Sequence, residues 1–398
     1  RKILEWVDFI VHHKRNQIYV VIVSLTLLAV YGMTKIDVTG YVVDDLPRKN
    51  PVYTDMHFFE KNFKGVLPFE IFVDTKKPNG VFDNNGRVLY KMKALQKQLE
   101  NYPELSKALS ITEALKFSYQ AYRGGDPKYY VLPGISELKN LNDYTSTVKG
   151  NENRLKSFID SSRQYTRISM QMADVGSKKI KTLLADIQPK VDSIFDSSQY
   201  HVKLTGHSLM FLKGNDYLLY NLYESLIIEI LLITIVGMAL FRSIGIILLS
   251  KLPCLIPLVI TAGIMGFFDI RFKPSTILIF SIAFGISSDG TIYFLSKYRQ
   301  ELKQNKKSIS EAISATIMDT GFSMIYTAVI LFFGFSIFAA SDFGGTAALG
   351  LLISITLLVA MVTNLILLPS LLLSIHKWVS RKEIISEPLI ELDDNEES

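Results

Sequence analysis

The chain has 398 residues, 48% of them hydrophobic, with a mean hydropathy of +0.24 and a net charge of +5. That balance is too apolar for an ordinary soluble domain and makes a membrane the first expectation. The single cysteine, Cys254, excludes an intrachain disulfide and a cysteine metal site. The excess of Lys and Arg gathers beside the apolar runs, as membrane topology requires, so nucleic acid is not expected as a partner.

Residues 1–16 mix Ile3, Leu4, Trp6, Phe9 and Ile10 with Lys2, Lys14 and Arg15. They read as an amphipathic cytoplasmic lead-in lying on the membrane surface. Residues 17–36 are apolar for about 20 positions, enough to cross a hydrocarbon core about 30 Å thick, and form the first expected span. From 37 to 221 charged residues return, and turn signals appear at Pro78-Asn79-Gly80 and Gly124-Gly125-Asp126-Pro127, so a separate polar domain is expected. Within it residues 67–74 and 165–172 alternate as strands, 84–102 and 177–195 have helical spacing, and 108–111 and 201–205 read as returning strands. Two such βαβ units predict a small ferredoxin-like α+β sandwich with its helices on one sheet face. The Tyr-rich stretch 112–162 reads as helical and irregular.

Five further spans are expected at 222–241, 244–268, 275–296, 322–340 and 346–375, so residues 222–376 complete an α-helical membrane protein with a 1+5 layout. Four basic groups test its orientation: Arg1, Lys2, Lys14 and Arg15; Arg242; Lys297, Arg299, Lys303, Lys306 and Lys307; and Lys377, Arg381 and Lys382. By alternation all four fall on one face, which the positive-inside rule makes cytoplasmic. The polar domain is then external, and residues 377–398, acidic from Glu387, form a disordered cytoplasmic tail. With Arg1 in first place and no signal-type stretch, the chain reads as a piece of a longer protein.

The strongest chemical signal is Asp289, the one carboxylate in the apolar stretch 274–299. A charge in hydrocarbon costs ~2.5–3.5 kcal/mol on insertion scales and marks an ion path, a relay or a counter-ion. Counting from residue 274, Asp289 lies about 22 Å along its helix, in the inner half of the bilayer. An acid isolated in low dielectric titrates nearer neutrality than one in water, which suits a reversible proton carrier. The plain alternative is an aspartate fixed to a neighbouring helix as a packing device. Ser287, Ser288 and Tyr293 read equally as relay members or packing hydroxyls, and Gly285 as a site of close helix approach.

Glu229, two turns from the outer end of the second expected span, reads as snorkelling to water. Lys251 reads as reaching the cytoplasmic interface, and Pro253 and Pro257 as loosening the third span. Tyr326, Thr327, Thr363 and Asn364 either line a path beside Asp289 or act as interhelical glue. His12, His13, His57, His201, His207 and His376 show no metal-ligand spacing, and there is no Walker loop or nucleophile elbow. The chain is therefore not expected to be an enzyme or to hold a metal or cofactor; its energy would come from an ion gradient.

This pattern resembles one repeat of the resistance-nodulation-division (RND) superfamily, and within it the MMPL branch, which is related to sterol-sensing-domain proteins. The resemblance is carried by residues 240–266 (LFRSIGIILLSKLPCLIPLVITAGIMG), by 284–302 (FGISSDGTIYFLSKYRQEL) with G-x-x-x-D at Gly285 and Asp289, and by 321–352 (GFSMIYTAVILFFGFSIFAASDFGGTAALGLL). Residues 50–65 (NPVYTDMHFFEKNFKG) are similar to the start of the family's external domain. The resemblance implies a multi-pass protein of the bacterial inner membrane, with a periplasmic porter domain, that exports lipids or other hydrophobic compounds against protons. It makes Asp289 the relay acid, with Ser288, Tyr293, Tyr326, Thr327 and Asn364 as candidate relay members. It also implies a partner, the N-terminal repeat of the same protein or a second copy. Many members carry an acid or a tyrosine directly after the relay acid; here Gly290 follows, so the relay partner is expected in the other repeat or in Tyr293. Two other readings stand beside this one: an accessory subunit of protein export resembling SecD and SecF, and a sterol- or lipid-sensing receptor in which Asp289 is structural.

Overall fold

The structure, a computed structural model, describes residues 1–41, 45–134, 137–138, 157–241, 244–304 and 308–375. Arg242, Lys306, Lys307, the tail 377–398 and part of the Tyr-rich stretch therefore lie outside the described residues. The chain folds as two compact units, one of Arg1–Thr39 with Tyr217–Ser398, the other of Gly40–Asp216.

Helix α1 (Lys2–His13) ends at Lys14, whose dihedrals leave the helical region, and α2 (Arg15–Met33) follows at once. The i, i+3, i+7 spacing of Leu4, Val7 and Val11 puts them on one side of α1, where they are buried in the core of the first unit. Ile3, Trp6 and Phe9 remain exposed on the other side. The lead-in thus has two apolar stripes, one packed and one free for a membrane surface, where the sequence reading saw a single surface-lying face.

The second unit begins with α3 (Pro51–Phe63), capped by Asn50, whose side-chain oxygen accepts from the Val52 amide. It continues with β1 (Leu67–Asp74), α4 (Asp83–Leu99), β2 (Leu109–Ser110), α5 (Ile111–Tyr122), β3 (Tyr165–Met172), α6 (Ser177–Ile194) and β4 (His201–Thr205). The strands form one antiparallel sheet in the order β2-β3-β1-β4, the split βαβ arrangement. The pleat sends Leu67, Phe69, Ile71 and Val73 into one core with Leu89, Met92 and Leu95 of α4 and Ile180 and Ile187 of α6. On the other face Glu70 pairs with Arg167 at 3.1 Å, and Phe72 stacks on Tyr165. Strand β2 is shorter than the pattern predicts because Ser110 ends it. The Ser110 hydroxyl accepts from the Thr112 amide and so starts α5, and Ser110 and Thr112 both donate to the buried Gln96 side-chain oxygen.

The remaining helices are α7 (His207–Phe241), α8 (Ile244–Phe267), α9 (Pro274–Gln304), α10 (Ile309–Ser336), α11 (Gly344–Val362), a π-helical turn (Thr363–Leu367) and α12 (Leu368–Ile375). Among the described residues six stretches are long and apolar enough to cross a membrane: Arg15–Met33, His207–Met238, Gly245–Phe267, Ser275–Lys303, Ile309–Ala340 and Gly344–Ser374. The chain is thus mostly helical with six candidate spans. Three helices overrun their expected ends: α7 begins at His207, α9 runs on to Gln304, and α10 begins at a capping box in which Ser308 and Glu311 satisfy each other's backbone amides. Hydropathy marks the part of a helix that lipid covers, and nothing in those polar flanks breaks the helix.

Helices α2 and α8 meet through small residues. A Cβ on Gly263 would lie 2.5 Å from the Ala29 Cα, and one on Gly266 would collide with the Gly32 carbonyl. Such seams let backbones approach closely where lipid provides no hydrophobic drive.

Candidate functional site

Helix α9 carries the site. Asp289 falls at the midpoint of Ser275–Lys303, deeper than the estimate from residue 274 implied because the helix runs on past Ser296. It is exposed on the outer face of its unit, on the same helical stripe as Leu278 and Tyr293, which are exposed too. Tyr326 and Thr327 of α10 are likewise exposed, with Tyr326 stacked on Phe322. Among the described residues none of Tyr293, Tyr326 and Thr327 hydrogen-bonds to Asp289. Nor, among the described residues, does Asp289 bond to a neighbouring helix, as a packing device would.

The opposite side of α9 is buried and polar. Ser287, Ser288 and Thr291 are at most 2% exposed, and so is Asn364 in the π-helical turn. Thr291 donates to the Asn364 side-chain oxygen at 2.7 Å, and the Asn364 amide donates to the Ser287 carbonyl at 3.0 Å. Gly290 makes this possible, since a Cβ there would sit 2.8 Å from the Asn364 amide nitrogen. The residue after Asp289 is glycine because Asn364 occupies the space. The expected relay set is thereby divided: Ser288 and Asn364 lie inside the helix bundle, while Asp289, Tyr293, Tyr326 and Thr327 lie on its surface.

Pro253 and Pro257 are stitched into the same network. Pro257 has no N–H for the Pro253 carbonyl, and Thr363 supplies the missing donor at 2.9 Å, with Ser287 Oγ at 3.5 Å. The π-helical turn that presents Thr363 and Asn364 lies just before Pro369, which cannot donate to the Leu365 carbonyl; such turns cluster at functional sites.

Four residues gain a place that the sequence reading did not give them. The Glu229 carboxylate of α7 lies 3.4 Å from where a Gly285 Cβ would be, one helical turn from Asp289 along α9. Lys251 is 9% exposed and lines a small cavity between α7, α8 and α9. Thr291 and Cys254 lie 3.2 Å apart beside that cavity; their i, i+4 spacings from Ser287 and Ser250 were the available signal. No group of three or more His, Cys, Asp or Glu among the described residues has a metal-binding arrangement.

The sequence pattern of the MMPL family matches residues 133–387, more than half of the chain. The chain belongs to the MMPL family. It is also similar to "Putative membrane protein MJ1562" of Methanocaldococcus jannaschii, at 22% identity over 378 residues, covering 94% of each chain. The matched segment of this MMPL protein contains α7 to α12 and with them Asp289, Glu229, Lys251 and Asn364.

Proposed function

We propose that this MMPL protein is a secondary exporter of lipids or other hydrophobic compounds, driven by proton entry through Asp289. The observation that carries the reading is a carboxylate at the centre of a candidate span, on the outer face of its bundle, with no partner among the described residues of its own unit. Lipid does not tolerate a charge at that depth, so the surface around Asp289 is built to meet another protein surface or a water-filled path. The occupant in this reading is a second repeat, either the N-terminal repeat of the same protein or a second copy of this chain. Tyr293, Tyr326 and Thr327 are on the correct surface to complete the relay from across that junction, and Glu229 is near enough along α9 to belong to it. In this reading the basic groups hold the termini in the cytoplasm and the α+β unit is external, where it receives substrate. A charge crossing 100 mV releases about 2.3 kcal/mol, so one or two protons per cycle suffice for a modest uphill step.

The test is export of a fluorescent lipid from proteoliposomes under an imposed proton gradient. Wild-type export should follow the gradient, and Asp289→Asn, folded as judged by its melting, should abolish it. Normal transport by the variant would assign Asp289 a structural role and return the sensor reading to the front.

A further inference from the structure

Lys251 is a cation within a candidate span, and none of the described residues balances it. Helix α8 has no other charged residue in its 24 positions. Among the described residues Lys251 makes no side-chain hydrogen bond and no ion pair. Glu229, the carboxylate of α7 one turn from the cavity wall at Ile233, lies against Gly285 of α9 instead. Lys251 is 9% exposed, yet its ammonium is not enclosed as the Ser288 hydroxyl is. A packed stem with an open head is the arrangement of a snorkelling lysine.

Depth and the neighbouring wall decide what meets that ammonium. Lys251 comes seven residues after Ile244, about 10 Å into the helix, and its Cα–Cβ bond leans toward the helix N-terminus. With that end on the cytoplasmic side, the stem carries the charge toward the headgroup layer of the inner leaflet. Only 6% of the α7 span is buried, against 56% of α8 and 50% of α9. Leu232 and Val236 of α7, next to the cavity-lining Ile233 and Gly237, are exposed, as are Leu248 and Leu252 of α8. The cavity that Lys251 lines measures about 10 Å³, room for one water and too little for a phosphate, so an anion on Lys251 sits outside it.

We propose that Lys251 binds the phosphate of one phospholipid of the cytoplasmic leaflet, whose chains lie along the apolar wall of α7 and α8. The proposal goes beyond the transport reading and takes from it only the side of the membrane on which α8 begins. A charge at this depth is costly unless it is paired, and a lipid phosphate is the anion that the leaflet supplies there. A free phosphate has the same oxygens but no chains to cover Leu232, Val236 and Leu252.

The test titrates the full chain, purified in a neutral detergent, with phosphatidylglycerol and counts bound lipid by native mass spectrometry. Wild type should hold one phosphatidylglycerol more tightly than the rest. Lys251→Met, folded as judged by its melting, should weaken that one by about tenfold, the scale of one charge-assisted contact. Lys251→Arg should keep it, since a guanidinium pairs with phosphate at least as well. Lys203→Met, an equal loss of charge on the exposed side of β4, should bind as wild type does. Diacylglycerol, which has the chains without the phosphate, should bind wild type and Lys251→Met alike. Equal phosphatidylglycerol binding by wild type and Lys251→Met overturns the proposal. So does loss of the lipid in Lys251→Arg, which would make packing of the stem the cause. Displacement by millimolar inorganic phosphate would assign the site to a free anion and overturn the lipid. No gradient is present in this experiment, so Asp289→Asn should bind as wild type does whether or not the transport reading survives.

Discussion

Gly290 and Asn364 define the site at the level of single residues. Adding one methyl group at Gly290 presses on the Asn364 amide, which two buried bonds hold in place, so the strain falls on the turn that presents Thr363 as well. Gly290→Val should cost about 1–3 kcal/mol, the range for overpacking, read as a lower melting temperature in detergent; Gly290→Val with Asn364→Ala should recover part of it. If the double variant melts no higher than Gly290→Val, the two residues do not share that space. Thr363→Val keeps the side-chain shape but removes the donor that Pro257 makes necessary. It leaves the buried Pro253 carbonyl with only the longer contact from Ser287 and should cost about 1–3 kcal/mol by the same measurement. Asp289 was legible in the sequence because a charge in an apolar run stands out against its neighbours. Asn364 was legible as interhelical glue, and its bonds to α9 bear that out; the helix it would join, and the places of Lys251 and Glu229, were not, because they depend on which helix lies opposite, and no local pattern encodes that.

Among elements, the tightest junction is the one between α2 and α8. Its close approach depends on the absence of side chains at Gly32, Gly263 and Gly266, so Gly266→Leu should separate the two helices and lower the melting temperature by several degrees, whereas Gly334→Leu, at a glycine with nothing within 4 Å, should not. Equal melting of the two variants would show that the seam contributes nothing. The spans themselves were readable from hydropathy, and the strands of the α+β unit from their alternation, with Tyr165–Met172 and His201–Thr205 matching the expected bounds. What could not be read was where strand yields to helix at Ser110, since an N-cap and a strand end use the same residue types. The π-helical turn within the last span was equally invisible, because a proline two residues beyond it is compatible with a plain kink.

For the whole molecule, the α+β unit lends itself to a pH test. Lys116 Nζ and the Tyr130 hydroxyl both donate to the Glu113 carboxylate, at 2.5 and 2.6 Å. Burial alone would raise the Glu113 pKa, but those two bonds outweigh it and hold the group below its usual value. The bond to Glu113 and burial push Tyr130 up to about 12. A carboxylate lowered in the folded state stabilises above its unfolded pKa, near 4.3, and that contribution is lost as pH falls through the lower folded value. A phenol raised in the folded state stabilises below about 10 and loses that contribution as pH rises toward its folded value. The urea midpoint of the full chain, read by proteolysis within residues 40–216, should therefore be flat from about pH 5 to 9 and fall outside that window, with a shallower alkaline fall in Tyr130→Phe. An unchanged alkaline limb in that variant would remove the Glu113–Tyr130 bond from the account. The order of the strands has a consequence for biosynthesis. Strand β1 is central, yet both of its neighbours, β3 and β4, are made later, the last ending at Thr205. At 5–20 residues per second, β1 leaves the ribosome roughly 7 to 26 s before its second neighbour exists. Until β3 is complete at Met172 a strand carrying Phe69, Ile71 and Val73 has two unpaired edges, and from then until Thr205 it keeps one. Its yield is therefore expected to depend on chaperones that shield those edges and on the rate of translation between β1 and β4.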